Sequence, residues 1–148
     1  MRSDRSPDGT ETILLVEDDP SFRTFVTALL ERSDYRVIAV DGIDGAKREA
    51  ALHSTAIRVI LSDVMMPGSK GIALADALSG CGLLARILFM SGYDAAGLTA
   101  TGYLAPGSYF LQKPFTRAAL LAAVRELFDL EPKGLVEPEG PISVAGIE

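Results

Sequence analysis

The sequence holds one cysteine, Cys81, and no tryptophan. A single cysteine excludes an internal disulfide and any zinc site built on several thiolates, and it suits a reducing compartment. Basic residues are also scarce: 14 Lys and Arg stand against 20 Asp and Glu, a net charge of -6. That balance repels nucleic acid phosphates, and no stripe of Lys and Arg offsets it. The apolar runs are far shorter than a membrane span. The first eleven residues carry Arg2, Asp4, Arg5 and Asp8 and lack the apolar centre of a secretion signal. The expectation is a cytoplasmic chain that meets other proteins rather than nucleic acid or a membrane.

What is present is enough apolar material, 48% of 148 residues, to build one core. Five apolar runs recur along the chain: TILLV (12–16), YRVIAV (35–40), IRVILS (57–62), ARILFM (85–90) and SYFLQ (108–112). They do not alternate with polar residues, the mark of strands covered on both faces. Between them the apolar period changes to that of a helix. Phe22, Phe25, Val26, Leu29 and Leu30 fall on one face. In 42–53, Ala46 and Ala50 point inward, with Leu52 as a further candidate. An alanine-rich helix is expected over 71–78 and another over 95–103. The last, capped by Thr116, runs to about residue 130 with Leu120, Leu121, Val124, Leu127 and Phe128 inward. Strictly alternating strands and helices predict an α/β fold, a single doubly wound five-stranded parallel sheet with helices on both faces. The domain is expected over 12–130, between a flexible N-terminal segment, 1–11, and a flexible C-terminal tail, 131–148, with Pro132, Gly134, Pro138, Gly140 and Pro141.

In such a sheet, ligands bind beyond the carboxyl ends of the strands, and polar residues gather there that a core does not need. Glu17, Asp18 and Asp19 follow the first strand, Asp63 the third, Ser91 the fourth and Lys113 the fifth. Several carboxylates meeting at about 4 Å would repel by roughly 4 kcal/mol per pair at an effective dielectric near 20. Lys113 supplies one balancing charge, and a divalent cation would supply the rest. Hard oxygen donors favour Mg2+, with Mn2+ as a substitute. A carboxylate beside such an ion and a lysine is suited to attack phosphorus and become an aspartyl phosphate, with the Ser91 hydroxyl donating to a phosphoryl oxygen.

The stretches ILLVEDDPSFR, LSDVMMPG, MSGYD and FLQKPF, in this order and at these strand ends, resemble the response-regulator receiver family of two-component signalling. The likeness runs over 12–130. It implies a flavodoxin-like (βα)5 fold with strand order 2-1-3-4-5. It implies that Asp63 accepts a phosphoryl group from a histidine kinase or a histidine phosphotransfer protein, by self-catalysed transfer followed by autodephosphorylation. Asp18 is implied as a direct Mg2+ ligand, Glu17 as a ligand through water and the Met65 carbonyl as a third protein ligand. Lys113 is implied as the charge-pairing lysine, before a cis proline. Ser91 is implied as the switch hydroxyl, and Phe110 as the aromatic switch that changes a surface for a downstream protein. A homodimer through the fourth-helix and fifth-strand face is also consistent with the resemblance. Two positions depart from the family pattern: Lys70 replaces the usual acid, and Phe110 lacks the hydroxyl of the common tyrosine.

Plainer readings exist for each residue. Asp19 caps a helix, His53 is a surface residue, and Phe110 is a core aromatic by default. As a whole, the chain could be a phosphorylation-independent pseudo-receiver acting as a binding module. A phosphate-ester hydrolase would want a second aspartate at position 65, which is Met. A nucleotide or flavin carrier would want a phosphate-binding loop where Glu17, Asp18 and Asp19 stand.

Overall fold

The computed structural model describes residues 11–66, 69–132, Gly134 and 143–144. Five strands, β1 (Thr12–Val16), β2 (Arg36–Val40), β3 (Ile57–Asp63), β4 (Arg86–Ser91) and β5 (Tyr109–Gln112), alternate with five helices. The helices are α1 (Pro20–Glu31), α2 (Ile43–Leu52), α3 (Gly71–Leu78), α4 (Ala95–Ala100) and α5 (Arg117–Asp129). The strands pair in parallel in the order β2-β1-β3-β4-β5, the expected doubly wound arrangement. Ser143–Val144 (β6) adds beside β5, Tyr109 opposite Ser143 and Phe110 opposite Val144. Two residues of the expected flexible tail thus join the sheet. Residues 133, 135–142 and 145–148 of that tail, residues 1–10, and the expected loop residues Pro67 and Gly68 lie outside the described residues.

The sheet divides the core in two, because successive side chains of a strand point to opposite faces. Every residue of β1 is buried. Ile13 and Leu15 pack with Val26, Leu29 and Leu30 of α1 and Leu120, Val124, Leu127 and Phe128 of α5. Leu14 and Val16 face the other way, toward Ala46 and Ala50 of α2, Leu74 and Leu78 of α3 and Leu98 of α4. Each fully buried Leu or Ile contributes on the order of 2 kcal/mol by removal from water. Two inward assignments fail: Phe25 is 56% exposed and Leu52 is 70% exposed. Both lie at the margin of their helix's apolar stripe, where the periodic pattern does not separate core from rim. Gly45 is helical and buried because α2 runs close to β2; a Cβ there would sit 3.0 Å from the Cβ of Val40.

The start of the fold is clamped at the sheet edge opposite the carboxylate rim. Glu11, placed in the expected N-terminal segment, is 5% exposed. Arg125 of α5 donates to it through two nitrogens, at 3.0 and 2.8 Å, and to the Tyr35 hydroxyl at 3.3 Å. The guanidinium also lies over the Phe128 ring, 5.4 Å from its centroid, and that ring stacks on Tyr35. Bidentate carboxylate pairing raises the Arg125 pKa further. Arg125→Ala removes these contacts from a buried carboxylate, and a loss of about 1–3 kcal/mol in urea unfolding free energy is expected. A change under ~0.5 kcal/mol would show the clamp to be energetically idle.

Candidate functional site

Register brings the polar strand ends level. Val16 pairs with Ser62, Asp63 with Met90 and Ser91 with Gln112. Glu17 therefore leaves β1 beside the residue before Asp63, and Lys113 leaves β5 beside Ser91. Backbone bonds carry the ladder past the strands: Glu17 N–H to the Val40 carbonyl at 3.0 Å, Val64 N–H to Met90 at 2.9 Å and Lys113 N–H to Ser91 at 2.8 Å. The Lys113–Pro114 peptide bond is cis, as the resemblance implies.

One carboxylate oxygen from each of Glu17, Asp18 and Asp63 lies within 4.8 Å of the others. The Lys113 ammonium stands 3.7 Å from Glu17 Oε1 and 3.7 Å from Asp63 Oδ2. The expected convergence of distant segments is thus present in the geometry. Glu17 is buried, Asp18 and Asp63 half-buried. Glu17 Oε2 accepts from the Asp19 N–H at 3.1 Å. Its other oxygen, Oε1, is buried and accepts no hydrogen bond among the described residues. A buried carboxylate oxygen left so is costly, and the Lys113 ammonium lies 3.7 Å from it. Hard oxygen donors, an excess of negative charge and an orphaned oxygen fit a small divalent cation.

Burial pushes the Glu17 carboxyl above its ordinary range; the Asp19 N–H and Lys113 pull it down, and Asp63 and Asp18 add to the rise. Asp63 is also raised, first by burial and then by Asp18; Lys113 and the backbone at Met65 and Val64 act against the shift. Burial is what lifts both groups, and Lys113 outweighs each neighbouring carboxylate taken singly.

The remaining candidates take their places around this cluster. Asp19 is exposed and caps α1, accepting from the Ser21 N–H at 3.0 Å with Pro20 in the first turn. Ser91 is buried at the end of β4, and its Oγ accepts from the Tyr93 N–H at 3.0 Å. Phe110 is wholly buried with Leu98 and Leu104 in the α2–α3–α4 half of the core. Met65 begins a two-residue antiparallel ladder, Met65–Met66 with Ser69–Lys70, in which Met65 pairs with Lys70. His53 sits at the end of α2, 3.4 Å from Glu49, away from the cluster.

Two contributors are invisible to sequence periodicity. Arg23 Nη1 donates to the Glu17 carbonyl at 2.8 Å, tying α1 to the end of β1. Phe22 reads as an inward helix residue, yet the Lys113 Nζ lies over its ring, 4.3 Å from the centroid. With Phe25, Gly92, Lys113, Pro114 and Phe115 it lines a cavity of about 630 Å³.

The family model described as the response regulator receiver domain matches residues 13–125. The chain is 30% identical over 115 residues to the response regulator receiver protein CpdR of Brucella abortus, covering 78% of this chain and 94% of that one. It is 32% identical over 108 residues to the transcriptional activator protein PfeR of Pseudomonas aeruginosa, where it spans 73% of this chain but 34% of the longer relative. Among solved structures, the receiver domain of the hybrid histidine kinase CckA matches with a TM-score of 0.67 at 29% identity, covering 80% of this chain and 99% of that one. The chemotaxis protein CheY4 of Vibrio cholerae shares the fold, with a TM-score of 0.70 at 24% identity over 80% of this chain and 98% of that one.

The raised carboxyls give a testable sign. Asp and Glu titrate near 3.9 and 4.3 in an unfolded chain, and folding raises Asp63 and Glu17. Their contribution to stability is full below the unfolded values and lost as pH rises through the folded ones. In EDTA at pH 7.5, Asp63→Asn should therefore melt a few degrees above the parent, and the gap should close as pH falls toward 4. Melting curves across that range check it; a variant less stable than the parent at pH 7.5 contradicts the electrostatic reading.

Proposed function

Because this chain belongs to the response regulator receiver family, we propose that Asp63 is the phosphoacceptor of a two-component relay and takes its phosphoryl group from a phosphohistidine on a kinase or phosphotransfer protein. The observation that carries the reading is the convergence of Glu17, Asp18 and Asp63 within 4.8 Å, with the Lys113 ammonium 3.7 Å from Asp63. An Asp63 oxygen attacks phosphorus, the new P–O bond forms as the P–N bond of the donor breaks, and the imidazole leaves with a proton. Water later attacks phosphorus, the bond from the Asp63 oxygen to phosphorus breaks, and inorganic phosphate leaves as the carboxylate returns.

Glu17, Asp18 and Asp63, with the Met65 carbonyl, would hold Mg2+ or Mn2+; the ion supplies charge neutralisation for the phosphoryl oxygens. The chain's own residues do the rest. Lys113 meets the negative charge that grows on those oxygens. The buried walls at Glu17 and Ser91 limit water at the reacting carboxylate. Ser91 lies one strand from Asp63, and its hydroxyl proton is free to be donated, since its oxygen acts as acceptor to Tyr93. A phosphoryl group adds charge and acceptor oxygens. Drawing the Ser91 hydroxyl toward them and repacking Phe110 changes the α4–β5 face that a downstream protein reads. Action in the cytoplasm and pairing of two copies through that face belong to the same reading.

Incubation with acetyl phosphate and Mg2+, followed by intact-protein mass measurement, tests it. One phosphoryl mass is expected on the parent, none on Asp63→Asn, and none when EDTA replaces Mg2+. An unmodified parent favours a phosphorylation-independent binding module instead, and an equally modified Asp63→Asn moves the acceptor elsewhere.

A further inference from the structure

We infer that Phe22 is a positioning residue for Lys113, holding the ammonium between Glu17 and Asp63 through the face of its ring. Where it concerns rate, the inference rests on the phosphoacceptor reading above; where it concerns geometry, it stands alone.

The ammonium lies 3.7 Å from each of two carboxylate oxygens, beyond the 2.7–3.2 Å of an N–H···O bond. Lysine is a point charge on a flexible four-carbon stem, and such long ion pairs do not fix its direction. Left alone, the ammonium would close on one carboxylate as a direct pair. That would blunt Asp63 as a nucleophile or withdraw the charge toward Glu17. The third contact is with a π cloud: Nζ lies over the Phe22 ring, 4.3 Å from its centroid. A cation within about 6 Å of a ring face is drawn to its negative quadrupole.

The ring is itself held in place. Phe115 meets it edge-on, with centroids 6.0 Å apart and planes at 66°, and Phe25 lies 6.3 Å away. Phe22 sits in the first turn of α1, whose start is fixed by the Asp19 cap and Pro20. Arg23, the next residue, is bonded to the Glu17 carbonyl. The ring's position is therefore set from the same strand end that carries Glu17 and Asp18. Phe115 follows Lys113 by two residues, so one short segment carries both the ammonium and the ring that braces its platform. This arrangement gives Phe25 a role despite its 56% exposure.

Ring chemistry and ring volume separate in a substitution series. Phe22→Leu keeps an apolar side chain in the first turn but removes the quadrupole. Its phosphorylation rate with acetyl phosphate and Mg2+ should fall about threefold to tenfold, the range of a partly desolvated cation–π contact. Phe22→Tyr and Phe22→Trp should stay within about twofold of the parent. Combined with Lys113→Met, Phe22→Leu should add less than about twofold, because the two residues act as one unit. Equal rates for Phe22→Leu and the parent overturn the inference, and so does loss of rate in the Tyr and Trp variants alike. A second readout needs no phosphorylation. The ε-methylene protons of Lys113, assigned by difference with Lys113→Met, should be shifted upfield by the ring in the metal-free parent and should return to the ordinary lysine position in Phe22→Leu. An unshifted parent resonance refutes the contact even if Asp63 is phosphorylated; a shifted one in a protein that takes no phosphoryl group upholds the contact while the phosphoacceptor reading fails.

Discussion

The site exists because a parallel sheet forces like charges together. Strands that run the same way end on the same rim, and the acids of this chain are placed where those ends lie. Glu17, Asp18 and Asp63 are brought within 4.8 Å of one another, against a repulsion of roughly 4 kcal/mol for each close pair. A single ammonium offsets part of it. Three carboxylates face one ammonium, and burial holds both Glu17 and Asp63 above their ordinary titration range. Every functional statement about the molecule follows from that imbalance.

The remainder of the fold supports the crowding. β1 is buried along its whole length, with α1 and α5 on one face and α2, α3 and α4 on the other. Hydrophobic burial on both faces holds the strands in register regardless of what their ends carry. At the opposite edge, the Arg125–Glu11 pair secures the start of β1, so the strand that presents Glu17 and Asp18 is anchored at both ends. The electrostatic cost at one rim is thus met by packing and by a well-formed ion pair at the other.

Much of this was legible in the sequence, for physical reasons. Unbroken apolar runs identify strands covered on both faces, and the rule that parallel strands end together places Asp63 with Glu17, Asp18 and Lys113 without any coordinates. Asp19 and Thr116 announce their helix caps because short polar side chains satisfy exposed N–H groups, and both do so here. Periodicity failed where a side chain sits at the rim of an apolar stripe. Phe25 and Leu52 carry the same letter code as core residues, and only the path of the neighbouring chain decides their exposure. Phe22 was hidden by the opposite error: it obeys the helical period, so its contact with Lys113 leaves no mark in the pattern. Glu11 and Ser143–Val144 depend on contacts across more than thirty residues, and no local signal encodes those.

The same geometry offers a route for the proposed coupling of the site to the α4–β5 face. Ser91 ends β4, its carbonyl takes the Lys113 N–H at 2.8 Å and its hydroxyl takes the Tyr93 N–H at 3.0 Å. One residue thus joins the lysine turn to the loop that starts α4. Phe110, three residues before Lys113, is sealed against Leu98 of α4 and against Leu104. On the proposed reading, a phosphoryl group that pulls the Ser91 side chain toward it would strain the bond from the Tyr93 N–H and loosen the start of α4. α4 is a short helix of six residues with one wholly buried anchor, Leu98. Its packing is shallow compared with that of α5, which buries five residues. Elements with few buried contacts reorganise at low free-energy cost. On the proposed reading, a change of charge at Asp63 would meet a soft neighbour, on the side of the sheet where Phe110 is packed.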